Sequence, residues 1–317
     1  MSGEFERIAR LRDLFGPLPP PDLGIGDDCA VLHDPRPLVI TVDSAVEGVH
    51  FDRRWLSSAD IAARAVEAAV SDLAAMGAAP GELLLAWSLP RESPDELVTD
   101  LAQGVLRVTR RLGMRVAGGN LTASPVLSLT TTALGRAVGP CLRRDGARVG
   151  DLLAVTGHPG AAAVGLRALL AARDHEPAFT DFVNRWRAPA ARIAEGLALI
   201  GRAHAAIDLS DGLAQDGSHM AAASSCALVL DADRLPWLPG QREAARALGL
   251  DPVELALHGG EDYELLATGP AGAFDAGWTI IGEVRAGDGV QLRRGGLTAP
   301  VEHRGWDHFA SGRGTRG

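Results

Sequence analysis

Apolar and polar residues alternate along the chain in segments that predict strands and helices in turn. In the first half, residues 59–76 are alanine-rich with apolar side chains at helical spacing, which predicts a helix. A second helix is predicted from Ser93, as an N-cap with proline at the first helical position, to Gly113. The predicted strands of this half lie at 38–43 (LVITVD), 81–90 (GELLLAWSLP, expected to be buried), 114–120 and 126–138.

The texture changes at 139–150, where GPCLRRDGARVG is polar and rich in turn residues, and we place a domain boundary there. We expect an N-terminal domain at 1–140 and a C-terminal domain at 141–317. The second half alternates again, with helices predicted at 161–172 and 188–203. Its strands are predicted at 151–157, 205–212 and 227–236, followed by a strand-rich segment from YELLATG to GWTIIGEV. The predicted class is α/β (α+β) in two domains.

Composition excludes several classes of protein. The formal net charge of −9 and the pI near 5.5 provide no basic footprint for nucleic acid. The sequence contains no run of about 18 apolar residues, so no membrane span is predicted. The N-terminus lacks the apolar segment of a secretion signal. Three scattered cysteines fit a reducing compartment, so we expect a cytoplasmic protein.

Lysine is absent, so all 31 basic residues counted as Lys or Arg are arginine. This excludes the P-loop lysine, the protein-kinase strand lysine and the Schiff-base lysine. Neither G-x-x-x-x-G-K-[ST] nor G-x-G-x-x-G occurs. Any nucleotide site must therefore be of another kind.

Carboxylates recur at the ends of apolar runs or beside glycine, where α/β proteins commonly place their sites. Oxygen ligands of this kind suit Mg²⁺, Mn²⁺ or Ca²⁺, and scattered aspartates with phosphates suit Mg²⁺ best. For any single aspartate the alternative is a turn or helix cap, and that alternative stays open at Asp28 and Asp211. The set comprises Asp27, Asp28, Asp43, Asp208, Asp211, Glu261 and Asp262, with Asp72 inside a predicted helix.

Eight segments in order resemble the thiamine-monophosphate kinase family, which belongs to the aminoimidazole ribonucleotide synthetase-like superfamily. The resemblance covers nearly the whole chain. Its segments are GIGDDCAVL (24–32), TVDSAVEGVHF (41–51), AVSDLAAMGA (69–78), AGGN (117–120), RRDGARVGD (143–151), AIDLSDGL (206–213), GGEDYEL (259–265) and GWDHF (305–309).

The resemblance implies ATP-dependent phosphorylation of thiamine phosphate to thiamine diphosphate with several Mg²⁺ ions. It also implies a two-domain fold and a homodimer formed by the N-terminal domains. The implied metal ligands are Asp27, Thr41, Val42 (by its backbone carbonyl), Asp43, Asp72, Asn120, Asp208 and Asp211. The implied ATP contacts are Gly119, Asn120, Arg144 and Ser210. The implied thiamine phosphate contacts are His50, Glu261 and Trp306, of which Trp306 offers an aromatic face and Glu261 a negative charge to the thiazolium ring.

Two positions depart from the family pattern. Asn120 stands where family members usually have aspartate, so we expect weaker Mg²⁺ binding there. Residues 216–219 read Asp-Gly-Ser-His instead of Asp-Leu-Gly-His, which is expected to loosen a helix. Two alternatives remain: a sibling ATP-dependent synthetase of the same fold, and a degenerate binder of ATP and metal without turnover.

Overall fold

The computed structural model describes residues 4–22, 25 and 32–302 of the chain. The chain folds into two compact units, the first formed by 1–73 and 78–138 and the second by 74–77 and 139–317. Among the described residues, no helix is both long enough and apolar enough to cross a membrane.

The first unit is a four-stranded sheet with helices. Its elements are α1 (Glu4–Phe15), β1 (Leu38–Val46), α2 (Ser58–Ala75, whose last residues belong to the second unit), β2 (Ala78–Leu89), α3 (Asp95–Leu112), β3 (Arg115–Ala123) and β4 (Ser128–Ala137). The strand order is β1-β4-β2-β3, in which only the β2–β3 pair is parallel.

Strand β2 was expected to be buried on both faces, and this expectation is wrong. Leu83, Leu85 and Trp87 are buried, whereas the intervening Leu84 and Ala86 are exposed. Successive side chains of a strand point to opposite faces of its sheet. The sheet therefore has one covered face and one open face.

The second unit is a seven-stranded mixed sheet of order β11-β10-β7-β9-β5-β8-β6. Its core comprises apolar side chains of β5–β10 together with those of α7 and α9. The helices are α4 (Ala161–Leu170), α5 (Thr180–Arg187), α6 (Ile193–Ala198), α7 (Leu213–Ser224), α8 (Gln241–Ala247) and α9 (Pro252–His258). The strands are β5 (Leu152–Thr156), β6 (Ala205–Leu209), β7 (Ala227–Asp231), β8 (Glu264–Gly269), β9 (Trp278–Arg285), β10 (Gly289–Arg294) and β11 (Leu297–Pro300).

Two helix boundaries differ from the predicted ones because of proline. Pro94, not Ser93, occupies the N-cap of α3, and no side chain caps this helix, although Gly113 ends it in the left-handed conformation as predicted. The helix predicted at 188–203 is confined to α6. Proline disfavours the helical conformation for the residue before it. Ala188, which precedes Pro189, accordingly adopts the non-helical values φ −132° and ψ 69°.

Asp262 ties the segment before β8 to the start of α4. Its carboxylate accepts hydrogen bonds from the backbone N–H groups of Gly160, at 2.6 Å, and Ala162, at 3.0 Å. Desolvation by the surrounding protein raises the pKa of Asp262 to about 7, against the lowering effect of these two amides. In the folded protein this carboxyl therefore keeps its proton at pH values where the unfolded chain has lost it.

We expect Asp262→Asn to change how stability depends on pH. Between about pH 4 and 7 the native protein holds one proton that the unfolded chain has released, so this group makes stability fall by about 1.4 kcal/mol per pH unit. The variant loses that contribution, and its unfolding free energy should fall less steeply over this range in urea titrations without metal. Equal slopes for the two proteins would mean that the amides keep the carboxylate ionised.

Candidate active site

In the first unit, the covered face of the sheet holds three of the predicted metal ligands. The Thr41 hydroxyl, on β1, donates a hydrogen bond to the carboxylate of Asp72 on α2. Asp43 lies two residues further along β1, on the same face as Thr41, and its Oδ1 accepts from the backbone N–H of Ser44 at 2.7 Å. A hydroxyl and two carboxylates thus belong to one strand–helix contact.

The strand register separates Asn120 from this group. Asp43 is in register with Thr131 on β4, which pairs with Leu85 on β2, and Leu85 pairs with Gly119 on β3. Asn120 lies on the next row, opposite Ala86, and therefore on the open face of the sheet. Val42 also has its side chain on the open face, and its role as a metal ligand through the backbone carbonyl stays a prediction. The structure does not bring the Asn120 side chain together with Asp43 and Asp72.

His50 lies in the turn after β1, where its ring Nδ1 accepts the backbone N–H of Val46 at 3.1 Å. In the neutral ring this assigns the proton to Nε2, because an accepting nitrogen cannot carry it. The turn therefore presents His50 as a donor through Nε2.

In the second unit, β6 ends at a cluster of aspartates. Asp208 is buried within β6, and Ser210 and Asp211 follow the strand. Asp216, in the first turn of α7, accepts the backbone N–H groups of Asp211 and Gly212, both at 3.0 Å. Asp216 therefore holds residues 211–212 against the start of α7. It was not among the site residues predicted from the sequence.

Burial, together with the negative charges of Asp211 and Asp208, raises the pKa of Asp216 to about 8, against the lowering effect of the two backbone N–H groups that it accepts. Like charges crowded in this way are stabilised by a cation. Carboxylate and hydroxyl oxygens are the donors that Mg²⁺ prefers, so the chemistry of this set fits that ion. Among the described residues, no three His, Cys, Asp or Glu side chains already form a metal-binding group.

The GGEDYEL segment runs alongside the end of β6. The backbone N–H of Glu261 donates to the carbonyl of Ser210 at 2.7 Å, and that of Tyr263 to the carbonyl of Leu209 at 2.8 Å. A Cβ on Gly260 would lie 2.5 Å from the Ser210 carbonyl oxygen, so the close approach requires glycine. The structure thus brings together Ser210, Asp211 and Glu261, which the sequence had assigned to different ligands.

Trp186 is a site residue that the sequence did not indicate. It is buried on α5, and its indole N–H donates a hydrogen bond to the Glu261 carboxylate. Glu261 itself has φ +69°, a left-handed conformation that is unusual for a residue other than glycine. The two residues are 75 positions apart, and no local pattern links them.

Three further predicted residues complete the inventory. Arg144 lies in an exposed loop, and its backbone carbonyl accepts the Ser224 hydroxyl at 2.8 Å. Asp27 and Trp306 lie outside the described residues.

Comparisons with known proteins connect this geometry to a family. The family model "AIR synthase related protein, N-terminal domain" matches residues 26–137. The thiamine-monophosphate kinase of Salmonella typhimurium is 38% identical over 330 residues, covering 98% of this chain and 99% of the relative.

Solved structures agree over similar spans. The thiamine-monophosphate kinase of Stenotrophomonas maltophilia superposes with a TM-score of 0.82 at 36% identity, covering 92% of this chain and 96% of that one. A structure of AaThiL complexed with AMPPCP and TMP has a TM-score of 0.82 at 32% identity, with 97% of each chain covered. These similarities confirm the two-domain aminoimidazole ribonucleotide synthetase-like fold, and the chain belongs to the thiamine-monophosphate kinase family.

Proposed function

We propose that this chain transfers the γ-phosphoryl group of ATP to thiamine phosphate, giving thiamine diphosphate and ADP. The observation that carries the proposal is the backbone pairing of the 261–263 segment with residues 209–210. We assign Asp208 and Asp211 to a metal–nucleotide complex and the neighbouring Glu261 to the cationic substrate. Membership of the family supports it, as does the relative solved with AMPPCP and TMP.

The reaction needs no general base. A phosphate monoester has a second pKa of about 6, so its terminal oxygen is largely ionised at pH 7. That oxygen attacks the γ-phosphorus in line, a new P–O bond forms, and the bond to the ADP oxygen breaks. The remaining difficulty is to bring two anions together, which calls for positive charge and positioning.

Carboxylates and a guanidinium divide this task. Thr41, Asp43 and Asp72 in the first unit, and Asp208 and Asp211 in the second, would hold Mg²⁺, which neutralises phosphate charge when bound. Arg144 would supply further positive charge to ATP, and Ser210 and Gly119 would contact it. Asp27 is proposed as an additional ligand.

The thiamine side of the site would use His50, Glu261 and Trp306. Glu261 offers a negative charge to the thiazolium ring, and the Trp186 indole holds that carboxylate in place. The Nε2–H of His50 suits a phosphate oxygen.

The decisive experiment incubates the purified chain with ATP, Mg²⁺ and either thiamine phosphate or thiamine, and follows thiamine diphosphate by chromatography. We expect the original protein to form thiamine diphosphate from thiamine phosphate but not from thiamine. The Asp208→Asn variant should form none from either substrate. Binding of an ATP analogue without any product would instead support the degenerate-binder alternative.

We expect the two faces of the first sheet to act independently toward Mg²⁺. Asp43→Asn should raise the Mg²⁺ concentration for half-maximal activity about tenfold, and Asn120→Asp should lower it several-fold by adding a ligand charge. Three strand spacings, about 14 Å, separate the two positions, so their free-energy effects should add in the double variant.

The control for this cycle is the mass of each variant by light scattering together with its melting temperature without metal, so that a loss of association in Asn120→Asp is separated from a change in Mg²⁺ binding. A double variant whose half-maximal Mg²⁺ concentration departs from the sum of the two single free-energy effects would mean that both side chains hold one ion.

Trp186→Phe tests the support of Glu261. The change keeps an aromatic ring but removes the N–H, and hydrogen bonds to a charged group contribute about 1.5–3 kcal/mol. We expect KM for thiamine phosphate to rise about tenfold, with KM for ATP within twofold of the original.

The matched control is Trp237→Phe, since Trp237 packs against the core of the same unit and has no contact with Glu261 among the described residues. It should leave both KM values unchanged. An equal rise of both KM values in Trp186→Phe would contradict the assignment and indicate general loosening.

We further propose a homodimer formed through the open face of the first sheet. Three apolar side chains are exposed side by side there: Ile40 at 58%, Val42 at 63% and Leu84 at 36%. Val42 and Leu84 share one row across β4 through Thr132. An apolar patch on a sheet face is a typical twofold interface.

A cytoplasmic location is proposed from the scattered cysteines alone.

Ile40→Glu should convert a dimer into a monomer, because a charge at the centre of the patch must be desolvated on association. Light scattering should give twice the chain mass of 33.1 kDa for the original protein and the single mass for the variant. Val149→Glu, at a residue 65% exposed in the second unit, is the control and should stay dimeric. A monomeric original protein would overturn the proposal.

A further inference from the structure

A cavity of about 230 Å³ opens within the second unit, between α5, the start of α4 and the beginning of β8. Its polar lining consists of His158, Asn184, Arg185, Arg192, Asp262 and Glu264. None of the residues assigned above to metal, ATP or thiamine phosphate lines it. The volume is far above the roughly 10–15 Å³ that one water needs.

Both carboxylate oxygens of Glu264 already accept hydrogen bonds. Its two carboxylate oxygens accept Nε and Nη2 of Arg192, both at 2.6 Å, and Oε2 also accepts the Thr156 hydroxyl at 2.7 Å. The charges of Glu264 and Arg192 therefore cancel within this pair.

Arg185, unlike Arg192, has no hydrogen bond to Glu264. Its closest ion-pair contact is Nη1 to Glu264 Oε1 at 3.8 Å, which is longer than a hydrogen bond. Within the described part of the chain, neither this guanidinium nor the Asn184 side-chain amide makes a hydrogen bond. Arg185 and Asn184 thus present donor groups to the cavity that no hydrogen bond within the described residues occupies.

His158 lies beside these charged groups. Burial lowers the pKa of its ring, the positive charges of Arg185 and Arg192 lower it further, and the negative charge of Glu264 raises it. Its Nδ1 is buried and has no hydrogen-bond partner among the described residues. Buried polar atoms without a partner are rare in native proteins and call for an explanation such as a bound ion.

We propose that this cavity is a binding site for a small multivalent phosphate-type anion, held by Arg185 and Asn184 beside His158. A guanidinium fork and an amide match phosphate oxygens in geometry as well as charge. The neighbouring Asp262 accepts the N–H groups of Gly160 and Ala162, and within the described residues it is not a hydrogen-bond partner of Arg185, although the positive charge of Arg185 lowers its pKa.

The test is calorimetric titration of the full chain with sodium diphosphate at constant ionic strength in EDTA. Without divalent cations, the aspartate clusters of the kinase site repel the anion, so binding there is suppressed. We expect one diphosphate per chain and weaker binding of orthophosphate. Arg185→Gln and Asn184→Leu should each weaken diphosphate binding at least tenfold.

Arg187→Gln is the matched control, because Arg187 lies on the same helix, does not line the cavity, and has a side chain 36% exposed against 37% for Arg185. It should bind diphosphate within twofold of the original protein. Equal affinity in Arg185→Gln, an equal loss in Arg187→Gln, or binding of citrate but not diphosphate would overturn the proposal. Asn184 is exposed, so Asn184→Leu decides the question should Arg185→Gln fail to fold.

Discussion

The buried carboxylate of Glu264 is the interaction on which the second unit's site depends. Arg192 grips it with two hydrogen bonds and Thr156 adds a third, so the start of β8 is fixed to β5 and to the segment before α6. A Cβ on Gly157 would lie 1.9 Å from Glu264 Oε1, so position 157 requires glycine. Loss of Arg192 would leave the buried Glu264 carboxylate without its main partner, which is strongly unfavourable. Just before this anchor, Glu261 accepts a hydrogen bond from an indole and Asp262 accepts hydrogen bonds from backbone amides at the start of α4.

The site built on this anchor is rich in negative charge, although its proposed substrates are also anions. The negative charges of Asp208 and Asp211 help to raise the pKa of the neighbouring Asp216, which shows that carboxylates are crowded at the end of β6. A chain without lysine has only arginine for this purpose, and its arginines are used largely in structural pairs such as Arg192–Glu264 and Arg136–Glu82. Binding of Mg²⁺ together with ATP would offset this repulsion, so the proposed reaction depends on metal charge and positioning rather than on a base.

Periodicity predicted the parts of the fold that depend on local pattern. The strands at 38–43 and 151–157 and the helix at 59–76 lie where alternation and helical spacing placed them. Contacts between distant segments could not be predicted. The Trp186–Glu261 bond joins residues far apart in sequence, and the side of the sheet that Asn120 faces follows only from its register with Ala86. Motif order supplied the carboxylates proposed for the site, but the Trp186–Glu261 hydrogen bond and the contact of Asp216 with the 211–212 backbone emerge only in three dimensions.

The register also gives a physical reason why asparagine is tolerable at position 120. Its side chain shares the open face with Ile40, Val42 and Leu84, the patch proposed to meet a second copy. A carboxylate near such an interface would have to be desolvated and, around a twofold axis, would face its own copy. A neutral amide avoids both costs and retains an oxygen for a ligand. On this argument, Asn120 gives up a ligand charge but keeps a ligand oxygen that needs less desolvation at the proposed interface, while the proposed ligands Asp43 and Asp72 belong to the other face of the sheet.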